Sequence, residues 1–289
     1  MSEGVFLKLG GALITDKTRE QTPRLEVIHR LAREVHQALD ARPDLQLLMG
    51  HGSGSYGHFV GQRYRTREGI VDDEGWRGYA QTAVVAARLN RLVTDALLEA
   101  GLPVLPVQPS ASALCRDGEL LRLEVRPIVT ALKNGLIPLV YGDVALDEVR
   151  GCTIISTEEI FCYLARLLRP QRIVLAGVVD GVYDRDPLRD PAARPITEIS
   201  PANYAQVERW LGGSHGVDVT GGMLSKVREM AALAWRVPGL VVYLTTGEEP
   251  GRLCQALLHP EAAGGTQIRW PAEAVSIPTF STFSTFLPD

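Results

Sequence analysis

An α/β fold, built on a mostly parallel sheet with helices on both faces, is predicted by three observations. Short β-branched and leucine-rich runs alternate along the chain with longer apolar patterns of helical period. No low-complexity linker breaks the alternation. Three glycine-rich segments fall where a strand passes into a helix, the positions that converge on a ligand crevice in an open α/β sheet.

The elements follow in order. Val5 to Leu9 reads as a buried strand ended by Gly10 and Gly11. Leu25, Ile28, Leu31, Ala32, Val35 and Leu39 then recur at helical spacing, with Thr22 as the expected N-cap and Pro23 at the first helical position. Leu45 to Met49 is a second strand, followed by the loop "GHGSGSYGH" and a helix over Tyr79 to Leu98. Pro103 to Val107 and Ile137 to Tyr141 are further strands, and Asp117 to Leu123 reads as a hairpin. A helix runs from Thr157 to Leu168 and "RIVLAGVVDGVY" is a strand entering a Gly-Asp turn, beyond which "DRDPLRDPAARP" is too rich in Pro, Asp and Arg for regular structure. A polar helix around Pro201 to Trp210 precedes the loop "GGSHGVDVTGGM" and a helix over Met223 to Trp235. "GLVVYLTTG" is the last strong strand, with a short helix at Leu253 to Leu258 and an edge strand at Gln267 to Trp270 after it. The tail from 271 to 289 is biased toward Ser, Thr, Phe and Pro and reads as loose surface chain.

The bulk properties narrow the class. At 289 residues the chain fits one large α/β domain or two closely joined lobes. Hydrophobic residues make up 45%, charged residues 22%, and the net charge of −4 gives no reason to expect a nucleic-acid partner. No apolar run approaches the roughly 20 residues that span a bilayer, and the first residues lack a secretory pattern, so no membrane partner and a cytoplasmic location are expected. Cys115, Cys152, Cys162 and Cys254 are far apart with no CxxC spacing, which reads as reduced core residues, with no zinc site.

The lysines are more telling. Of 30 basic residues only Lys8, Lys17, Lys133 and Lys226 are lysine, and three of the four lie in or beside glycine-rich segments. In a chain that otherwise uses arginine, a lysine marks a place that needs a compact, movable ammonium. Glycine loops at helix N-termini bring backbone N–H groups close to an anion and make ready phosphate sites; tight turns are the plainer alternative. "KLGG" at 8–11, "GHGSGSYGH" at 50–58 and "DVTGGM" at 218–223 together favour phosphates. There is no GxxxxGK[ST] loop, and "GSGSYG" matches GxGxxG in the wrong place, after the second strand and followed by His58. Lysines ringed around phosphates suit phosphoryl transfer, where catalysis is positioning plus neutralisation of spreading charge. His58 could donate to an acceptor phosphate, while His51 is expected to support the loop. Asp143, Glu158, Glu159, Asp180 and Asp218 could each hold a lysine or reach magnesium through water, and each could equally be a cap or turn residue. No protein metal ligand is assigned.

"KLGG" with Lys17 in "ITDK", "HGSGSYGH", "QPSA", "YGDVALD", "VDGVYDRDP", "DVTGGMLSK" and "GGTQI" occur in the order seen in the isopentenyl phosphate kinases. On those motifs, spread over residues 5–270, the chain resembles that group of the amino acid kinase superfamily. The resemblance implies a single domain with a three-layer α/β/α sandwich, the amino acid kinase fold, commonly dimeric. An acceptor-binding half would span about 1–170 and a nucleotide-binding half about 171–270. It also implies ATP with Mg²⁺ carried by the nucleotide, and roles for particular residues. Lys8, Leu9, Gly10, Gly11 and Ala12 would contact ATP phosphates, as would Gly54, Val178, Asp180, Gly222 and Lys226. Lys17 would stabilise the transition state, with Lys8, Lys226 and His58 the other catalytic groups. Ser53, His58 and Thr157 would bind the phosphorylated acceptor. Ala12 replaces a common Ser, Thr157-Glu158 a usual Gly-Asp, and Val178 a usual acid. The activity implied is ATP-dependent phosphorylation of isopentenyl phosphate to isopentenyl diphosphate, for isoprenoid synthesis. A fosfomycin-type kinase of the same superfamily and a nucleotide sensor without chemistry are the alternatives.

Overall fold

The computed structural model describes residues 3–187, 190–213 and 222–271. The first half runs β1 (Glu3–Leu9), α1 (Gly11–Ile14), α2 (Leu25–Ala41), β2 (Leu45–His51), α3 (Gly54–Arg63) and α4 (Gly75–Glu99). It continues with β3 (Val104–Pro106), β4 (Leu114–Arg116), β5 (Glu119–Arg122), α5 (Arg126–Lys133), β6 (Ile137–Tyr141), β7 (Asp143–Asp147), β8 (Gly151–Ile155) and α6 (Thr157–Leu168). The second half holds β9 (Arg172–Gly177), β10 (Val182–Tyr183), β11 (Pro195–Ile196), β12 (Glu198–Ile199), α7 (Tyr204–Gly213) and α8 (Met223–Arg236). β13 (Val241–Thr246), α9 (Arg252–Leu258) and β14 (Thr266–Arg269) complete it.

Among the described residues the main sheet has the order β12-β14-β13-β9-β1-β2-β6-β3. Its central strands are parallel, and only the β13–β14 pairing is antiparallel. Side chains alternate across a strand, so β1 sends Val5, Leu7 and Leu9 into a core shared with α2, α4 and α9. Phe6 enters a second core, on the opposite face, built with α5, α6, α7 and α8. These two cores are the interfaces between the central sheet and the helical layers of the predicted three-layer sandwich. A smaller sheet, β5-β4-β7-β8, branches off at Gly142, whose N–H donates to the His51 carbonyl at 3.0 Å. Its β4–β5 hairpin turns through Asp117 and Gly118, both at positive φ, as an Asp-Gly pair allows.

Several expectations need correction. The helix after the first strand starts at Leu25, with Arg24 and not Thr22 at its N-cap. The cause is tertiary: Pro23 bridges to Thr15, and the Arg24 side chain is committed to Glu248 at 2.5 and 2.9 Å and to the Leu13 carbonyl. β14 is no edge strand, because β12 pairs with its outer side. The segment "GHGSGSYGH" is largely regular: its first two residues end β2 and its last five open α3. The four cysteines are free thiols, with Cys115 and Cys152 buried. Asp218, with the rest of residues 214–221, and the tail beyond 271 lie outside the described residues.

One long-range contact stands in for a missing cap. The N-cap of α9 is Gly251, which has no side chain to satisfy the first-turn amides. Glu34 of α2 does so instead: its buried carboxylate accepts from the Leu253 and Cys254 amides at 3.0 and 3.3 Å and pairs with Arg30 at 2.7 Å. Glu34→Ala leaves two amides and a guanidinium without their partner, and should cost about 2 to 4 kcal/mol in urea unfolding.

Candidate active site

The site forms where the C-terminal ends of β1, β2 and β9 meet. The Gly10 amide donates to the Ala176 carbonyl at 2.8 Å, and the Gly52 amide to the Leu9 carbonyl at 3.0 Å. These bonds carry the parallel pairing one residue past each strand. The two glycine segments then touch backbone to backbone. A Cβ on Gly11 would stand 2.6 Å from the Gly54 nitrogen, and one on Gly52 2.9 Å from the Gly11 nitrogen. Gly54 also sits at φ +50°, where a Cβ would strike the Thr15 side chain. Neither segment tolerates side chains at these positions, so "KLGG" and "GHGSG" form one continuous, half-buried floor of abutting backbone. Gly50 is different. It lies inside β2, opposite Lys8 in register, and its bare face lets Thr157 and Phe161 of α6 press onto the sheet. It is a packing glycine.

The same alternation that points Phe6 at α6 points Lys8 there too. Phe6 packs on Phe161 with ring centroids 5.2 Å apart, and Lys8 pairs with Glu158, one helical turn before Phe161, at 2.5 Å. Both ends of the pair are shielded, at 10% and 13% side-chain exposure. Burial alone would raise the Glu158 carboxyl. The Lys8 and Lys226 charges and the Lys8 hydrogen bond outweigh it and hold the group below the ordinary glutamate value. Lys8 and Lys226 line one cleft together with Gly10, Gly177, Gly181 and Thr245. Lys226 stands in the first turn of α8, whose N-cap Gly222 has φ +68°. Lys17 is exposed on the turn after α1, and Lys133 is exposed in the last turn of α5, on the far side of the second core. Glu229, nearly one turn beyond Lys226, is pushed up to about 7 by desolvation and by Glu158 and Glu159, against the pull of Arg67 and Lys8.

On the other side of the floor, Ser53 is the N-cap residue of α3 and makes no capping bond, leaving its hydroxyl uncommitted to the helix. His58 is exposed on α3 with its ring edge-on to Phe59. His51, by contrast, is fully buried, stacked on Tyr141 at 5.6 Å. Its Nδ1 lies 3.1 Å from the Gly52 carbonyl, which can only accept, so Nδ1 carries the proton and Nε2 accepts from the Asn90 amide at 3.1 Å. Its own carbonyl accepts from the Thr157 hydroxyl at 2.6 Å and from Gly142 N–H. His51 thus fastens the end of β2 and its glycine segment to α4, α6 and the branch point of the second sheet. The Thr157 hydroxyl is spent on that carbonyl.

The remaining acids divide. Asp143 is buried, accepts from the Ser110 and Val144 amides, and has its carboxyl pushed up by burial. Asp180 is exposed and accepts from the Tyr183 hydroxyl. Val178 is exposed on the loop after β9. No cluster of three or more His, Cys, Asp or Glu side chains able to hold a metal exists among the described residues. No helix among them is long and apolar enough to cross a membrane. Asn90, on the buried face of α4, and Arg67, in a polar stretch, brace this region, and no motif flags either.

The amino acid kinase family matches residues 4–242. The isopentenyl phosphate kinase of Methanothermobacter thermautotrophicus is 35% identical over 268 residues, covering 90% of this chain and 97% of that one. The chain belongs to the amino acid kinase family. Among relatives of this amino acid kinase, the isopentenyl phosphate kinase of Haloferax volcanii is also 35% identical, over 86% of this chain and 96% of its own. A solved isopentenyl phosphate kinase superposes with a TM-score of 0.77 at 33% identity, over 92% of this chain and 99% of that one. The predicted fold class therefore holds for the family and for this chain.

The buried histidine of this amino acid kinase gives a pH prediction. Burial, with a further contribution from the Lys8 charge and against the Gly52 bond, lowers His51 to about 4. Above about pH 6.5 both folded and unfolded chains hold it neutral. Between about 6.5 and 4 the unfolded chain binds a proton that the folded chain refuses, so stability falls as pH falls, by about 3 kcal/mol over the window. His51→Gln should flatten that part of the pH dependence in urea unfolding between pH 4.5 and 7. A parent-minus-variant difference independent of pH would contradict the assignment.

Proposed function

We propose that the chain is an isopentenyl phosphate kinase, transferring the γ-phosphoryl group of ATP to isopentenyl phosphate and releasing ADP and isopentenyl diphosphate for isoprenoid synthesis. The observation that carries the reading is the abutment of the two glycine segments beside a cleft that Lys8 and Lys226 share. Two polyanions placed end to end need backbone donors without intervening side chains, and compact cations where charge accumulates. The relatedness to isopentenyl phosphate kinases over most of the chain supports the same substrate.

On this reading ATP lies over Lys8, Leu9, Gly10, Gly11 and Ala12, and is met from the second half by the loop of Val178 and Asp180 and by Gly222 and Lys226. The side-chain-free backbone of Gly10 and Gly11 gives a polyphosphate room to approach, and the cleft offers two ammonium groups to it. Mg²⁺ carried by the nucleotide would supply shielding of its negative charge, and the first-turn acid Glu158 serves Lys8. The acceptor phosphate sits over Gly54 against Ser53 and His58. Thr157, its hydroxyl held by His51, shapes the wall there by its methyl group and backbone. An acceptor phosphate oxygen attacks the γ-phosphorus as the bond to the ADP oxygen breaks, and Lys17 closes on the transferring group from its exposed turn.

Three measurements follow from these roles. In a coupled ADP-release assay, isopentenyl phosphate should turn over well ahead of fosfomycin and N-acetylglutamate, with dimethylallyl phosphate second. No turnover of any phosphorylated acceptor, with ATP still bound, would replace the kinase by a nucleotide-binding protein. Lys17→Ala should lower kcat by about 100- to 1000-fold with ATP affinity retained, since a charge-stabilising donor is typically worth about 3 to 4 kcal/mol. His58→Ala should raise the acceptor KM and leave nucleotide binding unchanged; unaltered acceptor kinetics would make His58 structural.

A further inference from the structure

Arg67 lies in the connection between α3 and α4, a stretch with no assigned role. The connection runs alongside β8 and is fastened to it at three places. The Thr153 hydroxyl donates to the Arg67 carbonyl at 3.1 Å, the Ile70 amide donates to the Arg150 carbonyl at 2.8 Å, and the Cys152 thiol approaches the Thr66 carbonyl. The Arg67 guanidinium then reaches past the end of β8. Nη1 donates to the Ile154 carbonyl at 2.6 Å and to Glu159 at 3.1 Å, and Nη2 donates to the other Glu159 oxygen at 2.8 Å. This is a bidentate fork on a carboxylate that is already occupied. Glu159 also accepts from the Ser156 amide at 2.5 Å, closing a capping box in which the Ser156 hydroxyl accepts from the Glu159 amide.

The box encloses Thr157 and Glu158, and Glu158 is the partner of Lys8. We propose that Arg67 is a positioning residue for phosphoryl transfer. By gripping Glu159 and the end of β8 at once it fixes the first turn of α6, and with it the carboxylate that aims Lys8 into the cleft. The proposal rests on the kinase reading above and adds to it a link from the α3–α4 connection, on the acceptor side, to the ammonium on the nucleotide side. The electrostatics agree. Arg67 and Lys8 both act against the rise that Glu158 and Glu159 impose on the Glu229 carboxyl. A charge half exposed, as Arg67 is, contributes little to stability, so an effect on turnover exceeding the effect on Tm separates positioning from scaffolding.

The test uses Arg67→Ala, Glu159→Gln and the double variant of the full chain. Glutamine at 159 keeps the capping box and breaks only the ion pair, so it tests the link even if Arg67→Ala folds poorly. Each single change should lower kcat by about 10- to 100-fold, as loosened placement of a reacting group does. The double variant should be no worse than either, and the acceptor KM should move less than about threefold. A second readout does not depend on activity. The chain has four lysines, so protein grown on lysine labelled with ¹³C at the ε carbon gives four resolvable signals. The Lys8 signal, assigned by its loss in Lys8→Arg, should shift in both single variants while that of Lys133 stays. Unchanged kcat with an unmoved Lys8 signal, losses that multiply in the double variant, or a loss confined to the acceptor KM would each overturn the proposal. A parent chain that turns over no acceptor would instead sink the kinase reading, and the Lys8 signal would still decide whether Arg67 governs it.

Discussion

The ion pair between Lys8 and Glu158 is the constraint around which the site is arranged. An ammonium at the end of a central, buried strand is costly unless a counter-charge meets it there, and the sheet itself offers none. The partner comes from a helix on one face, and two apolar features let that helix come close enough. Phe6 and Phe161 pack one step below the ion pair, and Gly50, opposite Lys8 in the neighbouring strand, has no side chain to hold α6 away. The pair is therefore the polar end of a hydrophobic contact. Its charge is balanced inside the fold and can be shared with a ligand that brings more negative charge than Glu158 alone.

Around that point the chain offers bare backbone. Gly10, Gly11, Gly52 and Gly54 meet without side chains between them, so the backbones of two strand ends abut beside the cleft that Gly10 lines. A cradle of this kind needs little reorganisation when phosphates arrive, because its dipoles are already fixed by sheet hydrogen bonds. His51 adds rigidity where the cradle meets the second sheet. Neutral and fully buried, it uses both ring nitrogens and its carbonyl to join four elements, and acid weakens the fold through it.

Much of this was legible in the sequence, for identifiable reasons. The strands and long helices are strongly periodic, and Thr157 to Leu168 and Ile137 to Tyr141 match to the residue. The scarcity of lysine picked out Lys8 and Lys226, which the fold brings to one cleft, and the spare histidine of the quoted loop, His51, proved to be a brace as expected. What stayed hidden depends on tertiary partners. Glycines masked α3, because its helical propensity is poor and its stability comes from packing on α4 and β8. Thr22 has the chemistry of a cap, yet Arg24 holds that place because Glu248, 224 residues away, fixes it. Arg67 sits in a polar run whose meaning appears only when β8 and α6 are brought beside it.

The central claim is that two phosphorylated molecules lie end to end over one glycine floor between Lys8 and Lys226. A crystal structure with isopentenyl phosphate and a non-hydrolysable ATP analogue tests it most directly. The account predicts both ammonium groups within about 3 Å of the nucleotide's β- or γ-phosphate oxygens and the acceptor phosphate over Gly54, in line with the γ-phosphorus. Lysines turned away from the polyphosphate, or ligands bound in separate clefts, would contradict it.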